Sequence, residues 1–174
     1  MADKLEVTPI QINRWIEESG VARDEAVALQ TIYFNVAADR YSGETTQIQW
    51  GDLEIKTDRL LKRWQELGGD EYSFAMLAKE YSESTEKGRQ IFLQTDLPES
   101  LWEWCFSHDR KAGDSTYVRT ESGHLIALYI DGGETVMRQL AGNRVRQEII
   151  DDLVRNWSEE NPVSYGKLGM KLAM

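Results

Sequence analysis

The side chains in this sequence that could carry out chemistry are a few hydroxyls, two histidines and one cysteine. Ser122 lies two residues before His124, and Ser84 follows an apolar segment. A serine with a histidine base and a carboxylate is the arrangement used by many hydrolases. Neither serine stands in the glycine-flanked nucleophile elbow, or in any comparable context, so the sequence does not favour a hydrolase.

Metal chemistry is not favoured either. Cys105, the single cysteine, lies between Trp104 and Phe106, so no intramolecular disulfide can form and we expect a packed, small apolar side chain. The two histidines, His108 and His124, are too few and too far apart for a zinc site of familiar spacing. The sequence therefore predicts no metal site.

Composition and charge limit the partners. The chain has 174 residues, 41% of them hydrophobic, and a net charge of -10. This length suits one compact domain with an appendage. The negative charge argues against nucleic acid and against an anionic membrane surface, since both require a basic face. No apolar run reaches membrane-spanning length, and residues 1–6 lack the basic start and apolar core of a secretory signal, which suggests the cytoplasm.

Three segments between Tyr72 and Ile130 form the predicted centre of the chain. Residues 73–82 place Phe74, Leu77, Ala78 and Tyr81 at helical spacing. Residues 97–106 predict a short helix with Pro98 in its first turn. Residues 120–128 contain a glycine turn followed by an apolar run, which is typical of a buried strand.

The remaining segments complete the order strand, two helices, strand, helix, two strands. Residues 37–52 read as a long surface loop, with Asp52 as the cap of the next helix. The other predicted elements are a strand over 26–36, a helix over 53–67 ended by Gly68 and Gly69, a short strand over 91–93 and an edge strand over 115–119.

Each end of the chain predicts a helix. The first spans 7–20, with Thr8 as cap, Pro9 at the first position and Gly20 at the end. The second spans 134–157, with a weak point at Gly142 and Asn143, and residues 163–174 could be a strand or a frayed tail. An isolated helix of the first one's length is marginal in water, so the two either pack on each other or lie on the sheet.

Four segments in this order resemble the parvulin-type peptidyl-prolyl isomerases, most closely the bacterial extracytoplasmic foldase branch. They are Phe74-Ala-Met-Leu-Ala-Lys-Glu-Tyr-Ser82, Leu101-Trp-Glu-Trp-Cys-Phe106, Gly113-Asp114 and Val118-Arg-Thr-Glu-Ser-Gly123. The resemblance implies an α+β fold with a four-stranded, mainly antiparallel sheet flanked by helices, over residues 26–132. Residues 1–25 and 133–174 would then form a small helical lobe.

The resemblance also implies a site for an X-Pro bond that needs no cofactor, and its residues are carried over position by position. The apolar pocket falls on Leu97 and Leu101, with Phe106 closing the helix against the sheet. The polar network, which uses two histidines and a Cys or Asp in similar proteins, falls on Tyr33, Leu125 and Ser84. The accompanying hydroxyls fall on Thr120 and Ser122.

His124 stands one place before the position that the family pattern requires. Successive side chains of a strand point to opposite faces, so we expect His124 to point away from the site that Leu125 faces. Only a bulge at Gly123 would bring it back.

Two functions remain open. One is an isomerase and foldase acting on X-Pro bonds of polypeptide clients, weakened by the substituted histidines. The other is a catalytically silent chaperone or protein-interaction module. The resemblance also suggests export with a leader removed, and either a monomer or a helix-swapped dimer.

Overall fold

The computed structural model describes residues 6–21, 25–37, 46–107 and 110–161. In this part of the chain there are five α-helices, four β-strands and a short 3₁₀ helix at Gln94–Asp96. Their bounds are α1 Pro9–Ser19, β1 Ala26–Asn35, α2 Gln47–Glu66, α3 Glu71–Tyr81, β2 Arg89–Leu93, α4 Glu99–Cys105, β3 Ser115–Arg119, β4 Gly123–Gly132 and α5 Glu134–Glu160. The predicted α+β class and the predicted order of elements are confirmed.

The strands form one sheet in the order β2, β1, β4, β3, and each of these pairings is antiparallel. The two strands with the longest apolar runs, β1 and β4, therefore lie in the centre. Their register shifts between Ala28 and Leu29 and then runs without interruption to the pair Asn35 and Gly123. The bulge at Gly123 that would have turned His124 towards Leu125 does not occur.

Side-chain alternation along β1 and β4 divides the core of the sheet between two faces. The α2/α3 face, which α2 and α3 cover, includes Ile32, Phe34, Trp64, Phe74, Ile126 and Leu128. The α4 face, which α4 covers, includes Val27, Leu29, Leu101, Cys105 and Ala127. Neighbouring residues of one strand therefore serve different sites.

The start of α2 differs from the prediction. α2 begins at Gln47 rather than Leu53, and Asp52 lies inside the helix instead of capping it. The backbone N–H and the hydroxyl of Thr46 both donate to Gln49 Oε1, at 2.5 and 2.6 Å. This Thr-x-x-Gln pattern is a capping box, but Gly51 and its polar neighbours favour a loop, so the predicted helix starts too late.

Two smaller corrections concern α3 and α4. Tyr81, predicted on the apolar side of α3, is 44% exposed, whereas Ser73 is buried. Pro98 is the residue that caps α4 rather than part of its first turn. Tyr81 is the last residue of α3, and the start of α4 differs from the prediction by one residue.

The chain divides into two compact units, one of residues 21–140 and one of residues 1–20 with 141–174. In the second unit the described elements are α1 and the C-terminal part of α5. The predicted ends of α1 are confirmed, since Thr8 accepts the Gln11 N–H and Gly20 has a left-handed φ of 69°. α5 runs through Gly142 and Asn143 without a break. Pro162 and the predicted tail lie outside the described residues.

No described helix combines the length and the apolar character that crossing a membrane would need.

Gly123 provides a test of the central strand pairing. A Cβ at this position would lie 1.8 Å from the backbone oxygen of Phe34. Gly123→Ala should lower the free energy of unfolding by about 2 to 3 kcal/mol, because one strand must shift to relieve the overlap. Urea unfolding followed by circular dichroism measures the change.

The matched control is Gly51→Ala in α2, where a Cβ would meet nothing within 4 Å. This substitution should raise the free energy of unfolding by about 0.5 to 1 kcal/mol, since alanine favours a helix interior. A Gly123→Ala variant as stable as the wild type would contradict the β1–β4 register.

Candidate functional site

The apolar residues of the predicted site lie on the α4 face. Leu101 is fully buried in the cluster there, and Leu97 and Leu125 pack against it while remaining half-buried. Val118 of β3 pairs with Leu125 and packs against the same cluster. The structure therefore brings three of the predicted apolar residues onto one surface.

Phe106 lies at the C-terminal end of α4. Its side chain is 37% exposed, and its ring centroid is 4.0 Å from that of Trp102. Trp102 itself packs against the α4-face cluster. Phe106 therefore contacts the apolar surface through Trp102, at its solvent-exposed end.

Two predicted hydroxyls meet beside this surface. Tyr33 pairs with Leu125 across β1 and β4, and it alternates with Ile32 and Phe34 of the opposite face. Tyr33 Oη lies 2.6 Å from Ser122 Oγ, and either hydroxyl can donate. The bond leaves this pair at least one further polar position for a ligand, since each hydroxyl can both donate and accept.

The other two predicted hydroxyls are bonded locally. Thr120 donates its hydroxyl and its backbone N–H to the Gly123 carbonyl, at 3.0 and 2.8 Å, and so closes the turn between β3 and β4. Ser84 Oγ accepts the Glu86 N–H at 3.2 Å. These two side chains shape the loops on either side of Tyr33.

A polar segment after α3, which the sequence analysis did not single out, holds the end of β1 that carries Tyr33. β2 pairs with residues 26–30 of β1 only, so the edge at Tyr33 needs other partners. Ser82 Oγ accepts the Tyr33 N–H at 3.1 Å, and the Glu83 N–H donates to the Tyr33 carbonyl at 2.8 Å. The available signal was the mismatch in length between a long first strand and a short second one.

The carboxylate of Glu83 extends this support. It accepts the backbone and side-chain N–H groups of Asn35, both at 2.9 Å, and Lys56 Nζ at 2.8 Å. Partial burial raises the pKa of Glu83, but the hydrogen bonds from Lys56 and Asn35 outweigh it and hold the pKa below its ordinary value. Glu83 therefore stays ionised at neutral pH and joins α2 to β1.

His124 lies on the α2/α3 face, as strand alternation predicts. It is 4% exposed, and its Nδ1 is 3.0 Å from the hydroxyl of Thr57, which is completely buried. The ring centroids of Trp50 and Tyr117 lie 5.9 and 5.0 Å from the centroid of the imidazole ring. The imidazole is thus a packed core group on the side of the sheet opposite Tyr33 and Leu125.

The surroundings of His124 favour the neutral ring. Burial lowers the pKa of His124, and the nearby Arg119 lowers it further, while the carboxylates of Glu54 and Asp58 oppose the shift. Neutral imidazole is also the form in which Nδ1 can accept a hydrogen bond from the Thr57 hydroxyl.

Cys105 packs in the cluster of the α4 face and is 3% exposed. Burial raises the pKa of the Cys105 thiol to about 12. The thiol is therefore protonated at neutral pH and serves as an apolar side chain, not as a nucleophile.

Comparison with known proteins leaves the family of this chain open. No protein-family model matches it, and no curated protein does. A match was found with a solved structure reported in work on PEB4 and Cj1289, two structurally related SurA-like chaperones of Campylobacter jejuni. The identity is 15%, the TM-score is 0.43, and the match covers 94% of this chain and 67% of that one. A likeness at this level supports no argument about function.

Neutral, buried His124 predicts a pH dependence of stability. The unfolded chain takes up the proton near pH 6.5, whereas the folded protein resists it, so this contribution to stability is lost as the pH falls below about 6.5. We expect the urea concentration at the unfolding midpoint to be lower at about pH 5.5 than at about pH 7.5. In His124→Gln this fall should become smaller.

The contribution of His124 is the difference between the falls in urea midpoint of wild type and His124→Gln, since the other titrating groups are common to both proteins. An equal fall in wild type and His124→Gln would contradict the buried, neutral state of the ring.

Proposed function

We propose that the α4 face binds extended, proline-containing polypeptide and weakly accelerates rotation about its X-Pro bonds. The observation that carries the proposal is the apolar surface of Leu97, Leu101 and Leu125 beside the hydrogen-bonded hydroxyls of Tyr33 and Ser122. A proline ring fits an apolar surface, and the adjacent amide needs polar partners. Residues 26–132 would form the domain that does this.

The reaction sets modest chemical demands. Rotation about an X-Pro bond has a barrier of about 20 kcal/mol and breaks no covalent bond. An enzyme must hold the ring and stabilise the amide when its resonance is lost, which positioned hydrogen-bond donors can do. The Tyr33 and Ser122 hydroxyls are the proposed donors, and Thr120 and Ser84 are proposed to position the loops around them.

A weak enzyme is the expected outcome of this arrangement. The imidazole groups of the family pattern are replaced by a phenol at Tyr33 and an aliphatic side chain at Leu125. If their loss removes about 2 to 3 kcal/mol of transition-state stabilisation, the rate falls roughly 30- to 150-fold.

A second candidate is a silent binding module that uses the same surface for polypeptide clients without catalysis. The observation that favours it is the burial of His124 against Thr57 on the α2/α3 face, where it cannot reach an amide held by the α4 face. This candidate keeps the polypeptide partner and removes only the rate enhancement.

Exchange NMR on a panel of X-Pro peptides tests the proposal without a coupling protease. Wild type should accelerate cis/trans exchange, and Leu97→Ala should abolish the effect by removing part of the apolar surface. Tyr33→Phe removes only the hydroxyl and should reduce the rate about tenfold, the value of one hydrogen bond to the twisted amide.

The matched controls are Tyr72→Phe, at a residue that is 74% exposed, and Leu67→Ala at the end of α2. Both should behave as wild type. No acceleration by the folded wild type, with the peptides still bound, would leave the silent module in place of the enzyme. If the wild type neither accelerates the exchange nor binds the peptides, both candidate functions are wrong.

A further inference from the structure

A concave apolar surface lies between α2 and the end of α3, on the α2/α3 face of the sheet. It encloses ≈ 510 Å³. Phe34 and Leu60, both buried, form its floor, while Ile55 and Tyr81 form walls that are 52% and 44% exposed. We call this surface the α2 groove. Half-exposed apolar side chains beside a concave surface are typical of a ligand-binding site.

The rim of the α2 groove is positively charged. Lys56, Arg59 and Arg63 line it, and their spacing of three and four residues places them on one side of α2. Among the described residues that line the groove, Asp52 is the one carboxylate. This concentration of cations stands out in a chain whose net charge is -10.

The arginines are available to a ligand. Among the described residues, Arg59 has no carboxylate within 4.0 Å, and Arg63 has only Glu66 at 3.8 Å, in a pair more than half exposed. Such an exposed pair contributes little stability, so a ligand carboxylate can replace it. Lys56 instead is held by Glu83 at 2.8 Å and by the Phe34 ring at 3.8 Å.

We propose that the α2 groove binds an extended acidic peptide segment in which two carboxylates and an apolar side chain occupy alternate positions, so that all three point to one face. Arg59 and Arg63 are separated by one helical turn, or about 6 Å along the axis. Carboxylates two residues apart in an extended peptide are about 6.6 to 6.8 Å apart, which matches this spacing. The apolar side chain packs between Ile55 and Tyr81 over the Phe34 and Leu60 floor.

A peptide fits this surface better than a polyanion does. Double-stranded nucleic acid or an anionic membrane would require a broad basic surface and would be repelled by the remaining negative charge. A free small anion would use the arginines but would leave the walls at Ile55 and Tyr81 exposed. The combination of cations and apolar walls is matched by a segment that carries both kinds of group.

The α2 groove and the proposed X-Pro site lie on opposite faces of the sheet. Phe34 belongs to the α2/α3 face, whereas Leu97 and Leu125 belong to the α4 face. A substitution at one site can therefore be used as a control for the other.

Fluorescence anisotropy with a labelled peptide of sequence Gly-Ser-Glu-Ser-Glu-Ser-Phe-Ser-Gly, whose two Glu side chains and Phe side chain point to one face when it is extended, tests the proposal. The full chain should bind it more weakly at high salt, and the peptide with Gln in place of both Glu residues should bind at least about fivefold more weakly. Arg59→Gln combined with Arg63→Gln should weaken binding of the Glu peptide about tenfold. Ile55→Ser should weaken the binding of the Glu peptide and of the Gln peptide, because it removes part of the apolar wall.

Lys62→Gln is the matched charge control, since Lys62 is exposed on α2 and lies outside the groove lining. It should leave binding unchanged, and so should Leu97→Ala on the α4 face. Equal binding of the Glu and Gln peptides, or an unchanged affinity in the double arginine variant, would overturn the proposal. Binding of phosphatidylserine vesicles or duplex DNA that depends on Arg59 and Arg63, without binding of the Glu peptide, would also overturn it.

Discussion

The pairing of β1 with β4 is the constraint on which the rest of the domain depends. The two strands lie in the centre of the sheet, and from Leu29 to Asn35 their register is uninterrupted. Because side chains alternate, this register sends Tyr33 and Leu125 to one face and Phe34 and His124 to the other. A slip of one residue would exchange the two sets, so it would change the chemistry of both faces at once.

The edge of β1 is the second requirement, because β2 covers only part of that strand. Ser82 and Glu83 take over where β2 ends, and they hold Tyr33 through its N–H and carbonyl groups. Glu83 also pairs with Lys56, which lines the α2 groove. The support of the Tyr33 segment and the rim of the groove therefore share one ion pair, although the two proposed sites lie on opposite faces.

Much of the fold could be predicted from local signals. The caps of α1, the apolar runs of β1 and β4, and the order of the elements are encoded in short segments, and the structure confirms them. The position of His124 followed from strand alternation alone. The start of α2 was missed because Gly51 obscured the capping box of Thr46 and Gln49.

The parts of the sites that sequence reasoning missed arise from contacts distant in the chain. The Thr57 to His124 hydrogen bond spans 67 residues, and the Ser82 to Tyr33 bond spans 49. The α2 groove likewise depends on side chains from β1, α2 and α3. No local periodicity in the sequence indicates such contacts. The site residues of the α4 face were predicted from the family resemblance, and their role in binding stays a prediction.

An amide NMR titration of the full chain with an X-Pro peptide that carries no acidic residue would locate the polypeptide-binding surface. We expect shifts clustered at Tyr33, Leu97, Leu101, Ser122 and Leu125, with little change at Trp50, Thr57 and His124. Shifts concentrated on the α2/α3 face would contradict the assignment of polypeptide binding to the α4 face. The absence of shifts at a peptide concentration of about 1 mM would also contradict it.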